Sequence, residues 1–65
     1  MRAFTHPSFK DVYFLVKKSF FVAEKNIWKL KIIWMRRKYG YAISEDKLIV
    51  SAEKYKEFRL YKGDS

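Results

Sequence analysis

The chain has 65 residues, no cysteine and a net charge of +8 at neutral pH. This length allows one small domain, and the lack of cysteine excludes disulfides and thiolate metal sites. A single histidine and few acidic residues argue against a metal or other cofactor, and no apolar run approaches the roughly 20 residues that cross a membrane. We therefore expect one soluble, cytoplasmic domain over residues 1–65, with frayed ends at 1–7 and 62–65. Its aromatic content of 20% favours a folded core.

The positive charge is concentrated in the first two thirds of the chain. Residues 45–65 hold five acidic and five basic residues, whereas residues 1–44 hold ten basic and two acidic ones. Residues 25–38 contain six basic residues and no acidic one. Such a patch attracts polyanions and favours contacts with phosphate groups. The charge thus indicates a nucleic-acid partner, although a solvated lysine-rich surface would have the same composition.

Residues 8–20 have the features of a first helix. Ser8 and Asp11 are spaced as in a capping box, and apolar residues follow at helical spacing from Phe9 to Phe20. The β-branched and aromatic content of the same stretch favours strands instead, with a hairpin turn at residues 17–19. We expect the helix, with a short strand possible at residues 1–5.

Residues 24–39 are expected to form a second, basic helix. Basic residues crowd its last turn and Gly40 follows directly, as at many helix ends. The alternation of apolar and basic residues from Trp28 to Ile32 is the opposing signal, since it is typical of a half-buried strand.

The last third of the chain is expected to form a hairpin and a final helix. In residues 41–50, two apolar runs flank the polar sequence SEDK, which predicts a turn between two strands. Ser51 is a good helix N-cap and Glu53 suits a first helical turn, so residues 51–62 are expected to be helical. Alternation near residue 60 leaves a strand possible there.

The expected fold is therefore α+β: helix, basic helix, β-hairpin and helix in one small domain. The sequence LKIIWMRRKYGYAI resembles the junction between recognition helix and wing in winged-helix and excisionase-type DNA-binding domains. The resemblance implies that the basic helix enters the major groove. Glu45 and Asp46 depart from it, because acidic residues at the tip of a wing repel phosphate. A small antiparallel β-rich domain is the alternative fold.

The sequence predicts a small regulatory nucleic-acid-binding module, with DNA favoured over RNA. The residues expected to contact the ligand are those of the basic segment and its flanking tyrosines: Lys25, Lys29, Lys31, Arg36, Arg37, Lys38, Tyr39 and Tyr41. Trp28 and Trp34 are expected in the core, because a domain this small needs its large side chains inside.

No enzymatic activity is predicted. His6 is the only histidine and lies beside Pro7, so a solvated or capping role is expected for it. Two isolated glycines cannot form a phosphate-binding loop. The alternative function is a small inhibitor or adaptor of the virus-encoded type, which would dock on an acidic surface of a larger protein. That role predicts a contiguous apolar patch beside the charge.

Overall fold

A computed structural model of the chain describes residues 2–62. Within these residues the protein is a small all-β domain, built from one open antiparallel sheet of five strands and one short helix. The strands lie in the order β4-β3-β2-β1-β5, so that β4 and β5 form the two edges. The elements are β1 (Arg2–Thr5), β2 (Val12–Val22), β3 (Ile27–Arg36), β4 (Ala42–Ser51), α1 (Ala52–Tyr55) and β5 (Arg59–Leu60).

The hydrophobic core lies on one face of this sheet. Phe14 on β2 and Leu30 and Ile32 on β3 are almost fully buried. Because side chains alternate between the faces of a strand, residues at every second position of β2, β3 and β4 point to this core. The partly buried residues that pack around it are Phe4, Val16, Trp28, Trp34, Leu48, Val50, Tyr55 and Phe58.

The segments before β2 and after β4 cover the core face. Ser51 caps α1 by accepting a hydrogen bond from the Lys54 amide at 3.1 Å. Tyr55 then stacks on Trp28, with ring centroids 4.2 Å apart. From the other side, the Phe9 ring meets Trp34 edge-on at 5.2 Å.

Two residues with positive φ close the turns on either side of β3. Asn26 (φ 54°) ends the turn between β2 and β3, and Gly40 (φ 67°) lies in the turn between β3 and β4. Asparagine and glycine are the residues that adopt this conformation most easily. Each turn therefore has a residue type that suits its positive φ. Each turn also reverses the chain, so that β3 runs antiparallel to both β2 and β4.

The helices predicted for residues 8–20 and 24–39 are wrong, and so is the winged-helix-like arrangement built on them. Residues 12–22 and 27–36 are strands β2 and β3. The alternation from Trp28 to Ile32 and the β-branched content of β2 outweigh the helix-end signals. The structure has the antiparallel β arrangement that was the alternative. The hairpin turn considered at residues 17–19 is also absent, since β2 continues through it.

The hairpin predicted within residues 41–50 is wrong as well. The sequence SEDK lies in the middle of the continuous strand β4. Its polar residues are tolerated because β4 is an edge strand with mostly exposed side chains. The N-cap at Ser51 is confirmed, but α1 ends at Tyr55 instead of extending to residue 62. The chain then forms the short strand β5. Of the end expected to fray at 1–7, residues 2–5 form strand β1 instead. Of the end expected to fray at 62–65, residues 63–65 lie outside the described residues.

The two ends of the described chain meet through His6, which is 4% exposed. Its Nδ1 accepts a hydrogen bond from the Ser8 amide at 3.0 Å, and its Nε2 lies 2.7 Å from Oε2 of Glu57. The expectation of a solvated His6 is therefore wrong, and its bond from the Ser8 amide lies in the segment between β1 and β2, where the structure has no helix to cap. In residues 2–62, no helix has the length and apolar character needed to span a membrane.

Candidate functional site

The face of the sheet opposite the core, here called the open face, carries the candidate site. The contacts of α1, Phe9 and Phe58 all lie on the core side. Side chains at the alternate positions of β2, β3 and β4 therefore point to the open face. Lys31 illustrates the arrangement, because it is exposed between the buried residues Leu30 and Ile32.

Three lysines stand side by side across the open face. Lys18 on β2 is directly opposite Lys31 on β3, and Lys31 is directly opposite Lys47 on β4. We call these three residues the lysine row. Directly opposed residues of an antiparallel pair have Cβ atoms about 4.5–5.5 Å apart, and like charges at these positions are destabilising. The row therefore concentrates positive charge at a cost to the fold.

A β-bulge brings Lys18 into the row. The pairing between β2 and β3 shifts between Val16 and Lys18, so that Lys17 is an extra residue. Without the extra residue, Lys17 would pair with Lys31 and the next lysine would point to the core face. With it, Lys18 and Phe20 lie on the open face and Phe21 packs against Trp28 on the core face.

The next row along the strands contains Phe20, Lys29 and Ile49, again directly opposite one another. Phe20 is 54% exposed and Ile49 is 66% exposed. Together with Lys31 and Lys47 they line a shallow depression of about 270 Å³. The site thus combines an exposed aromatic ring, an aliphatic side chain and several ammonium groups.

A second depression of about 430 Å³ adjoins the first and shares Lys31 and Lys47 with it. Glu45 and Asp46 lie at its edge. The Nζ of Lys17 contacts Oε1 of Glu45 at 3.0 Å. Within residues 2–62, Lys17 is the only lysine of the open face that has a carboxylate within 4.0 Å. The lysine row and Lys29 therefore keep their charge available for a ligand.

The structure separates the residues that the sequence predicted as one site. Lys29 and Lys31 lie at the centre of the open face, whereas Lys25 lies in the turn between β2 and β3. The remaining residues lie at the opposite end of β3: Arg36, Arg37, Lys38, Tyr39 and Tyr41. Ten residues of β3 span roughly 33 Å, so the two ends cannot form one compact contact surface.

The end of β3 forms a smaller basic cluster of its own. Arg36 and Lys38 line a depression there with Lys10 and Asp11. Arg37 is engaged within the fold, because its Nη2 donates to Oγ1 of Thr5 at 2.7 Å and its guanidinium lies 5.4 Å from the Tyr61 ring centroid.

The turn between β3 and β4 also carries the two predicted contact tyrosines. Tyr39 and Tyr41 are 70% and 52% exposed, and their rings stack on each other. They are accessible, as expected, but they lie away from the lysine row. Trp28 and Trp34, in contrast, pack against the core cluster, as the sequence predicted.

Sequence reasoning missed Lys18 and Lys47 as members of the site. Their positions become visible only when the pairing of three strands is known, because they are far from Lys31 in sequence. The alternation around Lys31 was the available signal, since it placed Lys29 and Lys31 on one face of a strand.

Among the described residues, no group of three or more histidine or acidic side chains is placed to hold a metal ion. Comparisons of the chain with protein-family models, curated proteins and solved structures found no match. The site is therefore interpreted from its own geometry and charge.

Proposed function

We propose that the protein binds nucleic acid through the open face of its sheet. The lysine row is the observation that carries this proposal. Lys18, Lys31 and Lys47 lie directly opposite one another in adjacent strands, where like charges are unfavourable, and an anion bound over them would offset the repulsion. A chain of phosphate groups provides negative charge at regular intervals, which suits several ammonium groups on one surface.

The binding surface would consist of the lysine row and Lys29. Lysine acts on phosphate as a flexible point charge, so these contacts hold the backbone of the ligand without selecting its sequence. They also do not distinguish DNA from RNA, because that distinction needs groups that contact the 2′-hydroxyl. The sequence-based preference for DNA remains a prediction, and both nucleic acids belong in the test.

The test is a titration of the protein against fluorescent oligonucleotides at several salt concentrations. If four lysines neutralise phosphates of a single strand, the slope of log K against log salt should be about −3. Replacing Lys18, Lys31 and Lys47 by Gln should reduce the slope to about −1 and abolish most binding at moderate salt.

A matched variant separates a specific surface from general positive charge. Lys54, Lys56 and Lys62 are exposed and lie outside the open face. Their replacement by Gln changes the net charge by the same amount as the lysine-row variant. It should leave the oligonucleotide affinity and the salt slope close to those of the wild type. Equal losses in the two variants would contradict the proposal, because binding would then follow net charge alone.

Docking on an acidic protein surface is the second candidate function. It is favoured by the exposure of Ile49 and Phe20 beside the lysine row, since exposed apolar side chains next to charge are typical of protein interfaces. An Ile49→Ser variant separates the two functions. It should leave the slope of log K against log salt for oligonucleotides unchanged, because it removes no charge, whereas an interface protein would lose much of its affinity for its acidic partner.

A further inference from the structure

Phe20 differs from the other phenylalanines of the protein. The chain has six phenylalanines, all within residues 2–62. Five of them contact another aromatic ring with centroids 6.2 Å apart or less: Phe4, Phe9, Phe14, Phe21 and Phe58. Phe20 is not among these pairs, and 54% of it is exposed. Its ring therefore contributes less to the fold than the others and is open to a ligand.

The surroundings of Phe20 are positively charged. Lys29 is its direct partner on β3, and Lys18 lies two residues along β2 on the same face. Two residues of a strand span about 6.6–6.8 Å. A phosphate chain that contacts Lys18 and Lys29 would therefore hold the attached bases close to the exposed ring.

The width of the sheet decides between single-stranded and double-stranded ligands. The protein measures 39 × 20 × 18 Å along its principal axes. The major groove of B-DNA is only about 12 Å wide, so this sheet face cannot enter it. Against a duplex, the open face could meet phosphates alone, because the bases remain stacked inside. In a single strand, the bases are free to leave one another and contact Phe20.

We infer that the open face takes single-stranded nucleic acid, with a base stacked on Phe20 and phosphates bound by Lys18, Lys29 and Lys31. This inference rests on the proposed function and adds the class of ligand and the role of the aromatic ring. Aromatic side chains stack on any base, so binding through Phe20 would tolerate different sequences.

The experiment compares two short single strands that differ only in the presence of bases. One probe is an oligothymidine of about 12 nucleotides, within the roughly 4–16 nucleotides covered by small single-strand-binding domains. The other is an abasic strand of the same length, which keeps all phosphates. A duplex of the same length is the third probe. Affinities are measured by fluorescence anisotropy for the wild type, Phe20→Ala and Phe20→Trp.

The wild type should bind oligothymidine more tightly than the abasic strand and the duplex. Phe20→Ala should weaken binding to oligothymidine by about 5- to 150-fold, and should leave binding to the abasic strand within twofold. Phe20→Trp should restore the affinity, because a larger flat ring still stacks. Since the ring is more than half exposed, Phe20→Ala should keep the fold, which circular dichroism checks.

Other outcomes distinguish a failure of the single-strand inference from a failure of the proposed nucleic-acid binding. Equal losses of affinity for the abasic and base-containing strands in Phe20→Ala would overturn stacking. Tighter binding of the duplex than of the single strand would overturn the inferred ligand class, and the nucleic-acid proposal would stand. No effect of the lysine-row substitutions on any probe would overturn both. The variant Tyr39→Ala is the control, because it removes an exposed ring outside the open face.

Discussion

Lys31 is the residue at which stability and the proposed function oppose each other. It stands between Lys18 and Lys47 in adjacent strands, so it takes part in both like-charge pairs of the row. Such pairs are unfavourable in the free protein, and no carboxylate of residues 2–62 lies within 4.0 Å of it. A neutral residue at this position would avoid both repulsive pairs.

Replacing Lys31 by Thr should therefore stabilise the protein and weaken its binding to oligonucleotides. Threonine suits an exposed strand position, and loss of two repulsive pairs should raise the free energy of unfolding by roughly 0.5–1 kcal/mol at low salt. The gain should shrink near 1 M salt, where the Debye length is only about 3 Å. Urea denaturation at the two salt concentrations measures both effects.

Lys29→Thr is the matched control for this prediction. Lys29 lies on the same strand and face, but its direct partners are Phe20 and Ile49. The Lys29→Thr substitution should change the free energy of unfolding less than the Lys31→Thr substitution does. An equal gain from both substitutions would mean that threonine propensity, and not charge repulsion, stabilises β3.

For individual residues, the sequence predicts part of the candidate site. Lys29 and Lys31 are predicted as contact residues of a basic helix, and both are exposed on strand β3 instead. The alternation of apolar and basic residues around them is the signal that indicates this strand face. Lys18 could not be assigned, since its face depends on the bulge at Lys17. A bulge of this kind leaves no clear mark in the sequence VKKSF.

Strand β4 shows how an edge strand can be protected from pairing with another molecule. It runs over ten residues, pairs with β3 on one side only, and is long for an edge strand. The amide of Lys47 donates to Oδ1 of Asp46 at 2.8 Å. This amide therefore points away from β3 and is already occupied. Asp46 thus removes one hydrogen-bond donor from the exposed edge.

Asp46→Ala should increase self-association through β4. The substitution frees the Lys47 amide for an intermolecular hydrogen bond, which contributes about 0.5–1.5 kcal/mol. Self-association should therefore tighten by roughly 2- to 12-fold, as measured by sedimentation equilibrium. Asp46→Asn is the control, since it removes the same charge and keeps an acceptor oxygen. Similar association of the two variants would show that charge, and not the occupied amide, protects the edge.

The segments whose secondary structure is wrongly predicted from the sequence share a physical cause. Basic residues followed by Gly40 are typical of a helix end, but a strand entering a turn needs the same positive φ. The polar sequence SEDK resembles a turn, yet an edge strand with one solvated face accepts polar residues at consecutive positions. In both places the local pattern fits two structures, and pairing with distant strands decides between them.

At the scale of the whole molecule, the two faces of the sheet have different roles. Within residues 2–62, the core face holds only three almost fully buried hydrophobic residues, Phe14, Leu30 and Ile32. Its cover consists of segments from the two ends of the described chain, which leaves the open face free for a ligand. The contact between His6 and Glu57 joins these segments across 51 positions of sequence. The thin core makes this contact important for the domain.

The bond between His6 and Glu57 should stabilise the whole domain, and its donor can be assigned. The Ser8 amide donates to Nδ1, so the proton of the neutral ring lies on Nε2 and is donated to Glu57. Glu57→Ala leaves this buried donor without its partner and should cost about 1–3 kcal/mol at neutral pH. For a domain of this size, each kcal/mol lowers Tm by about 4–8 °C. Glu57→Gln keeps an acceptor oxygen and should lose less than half as much. Equal losses in thermal unfolding would assign the effect to the charge of Glu57 instead of the hydrogen bond.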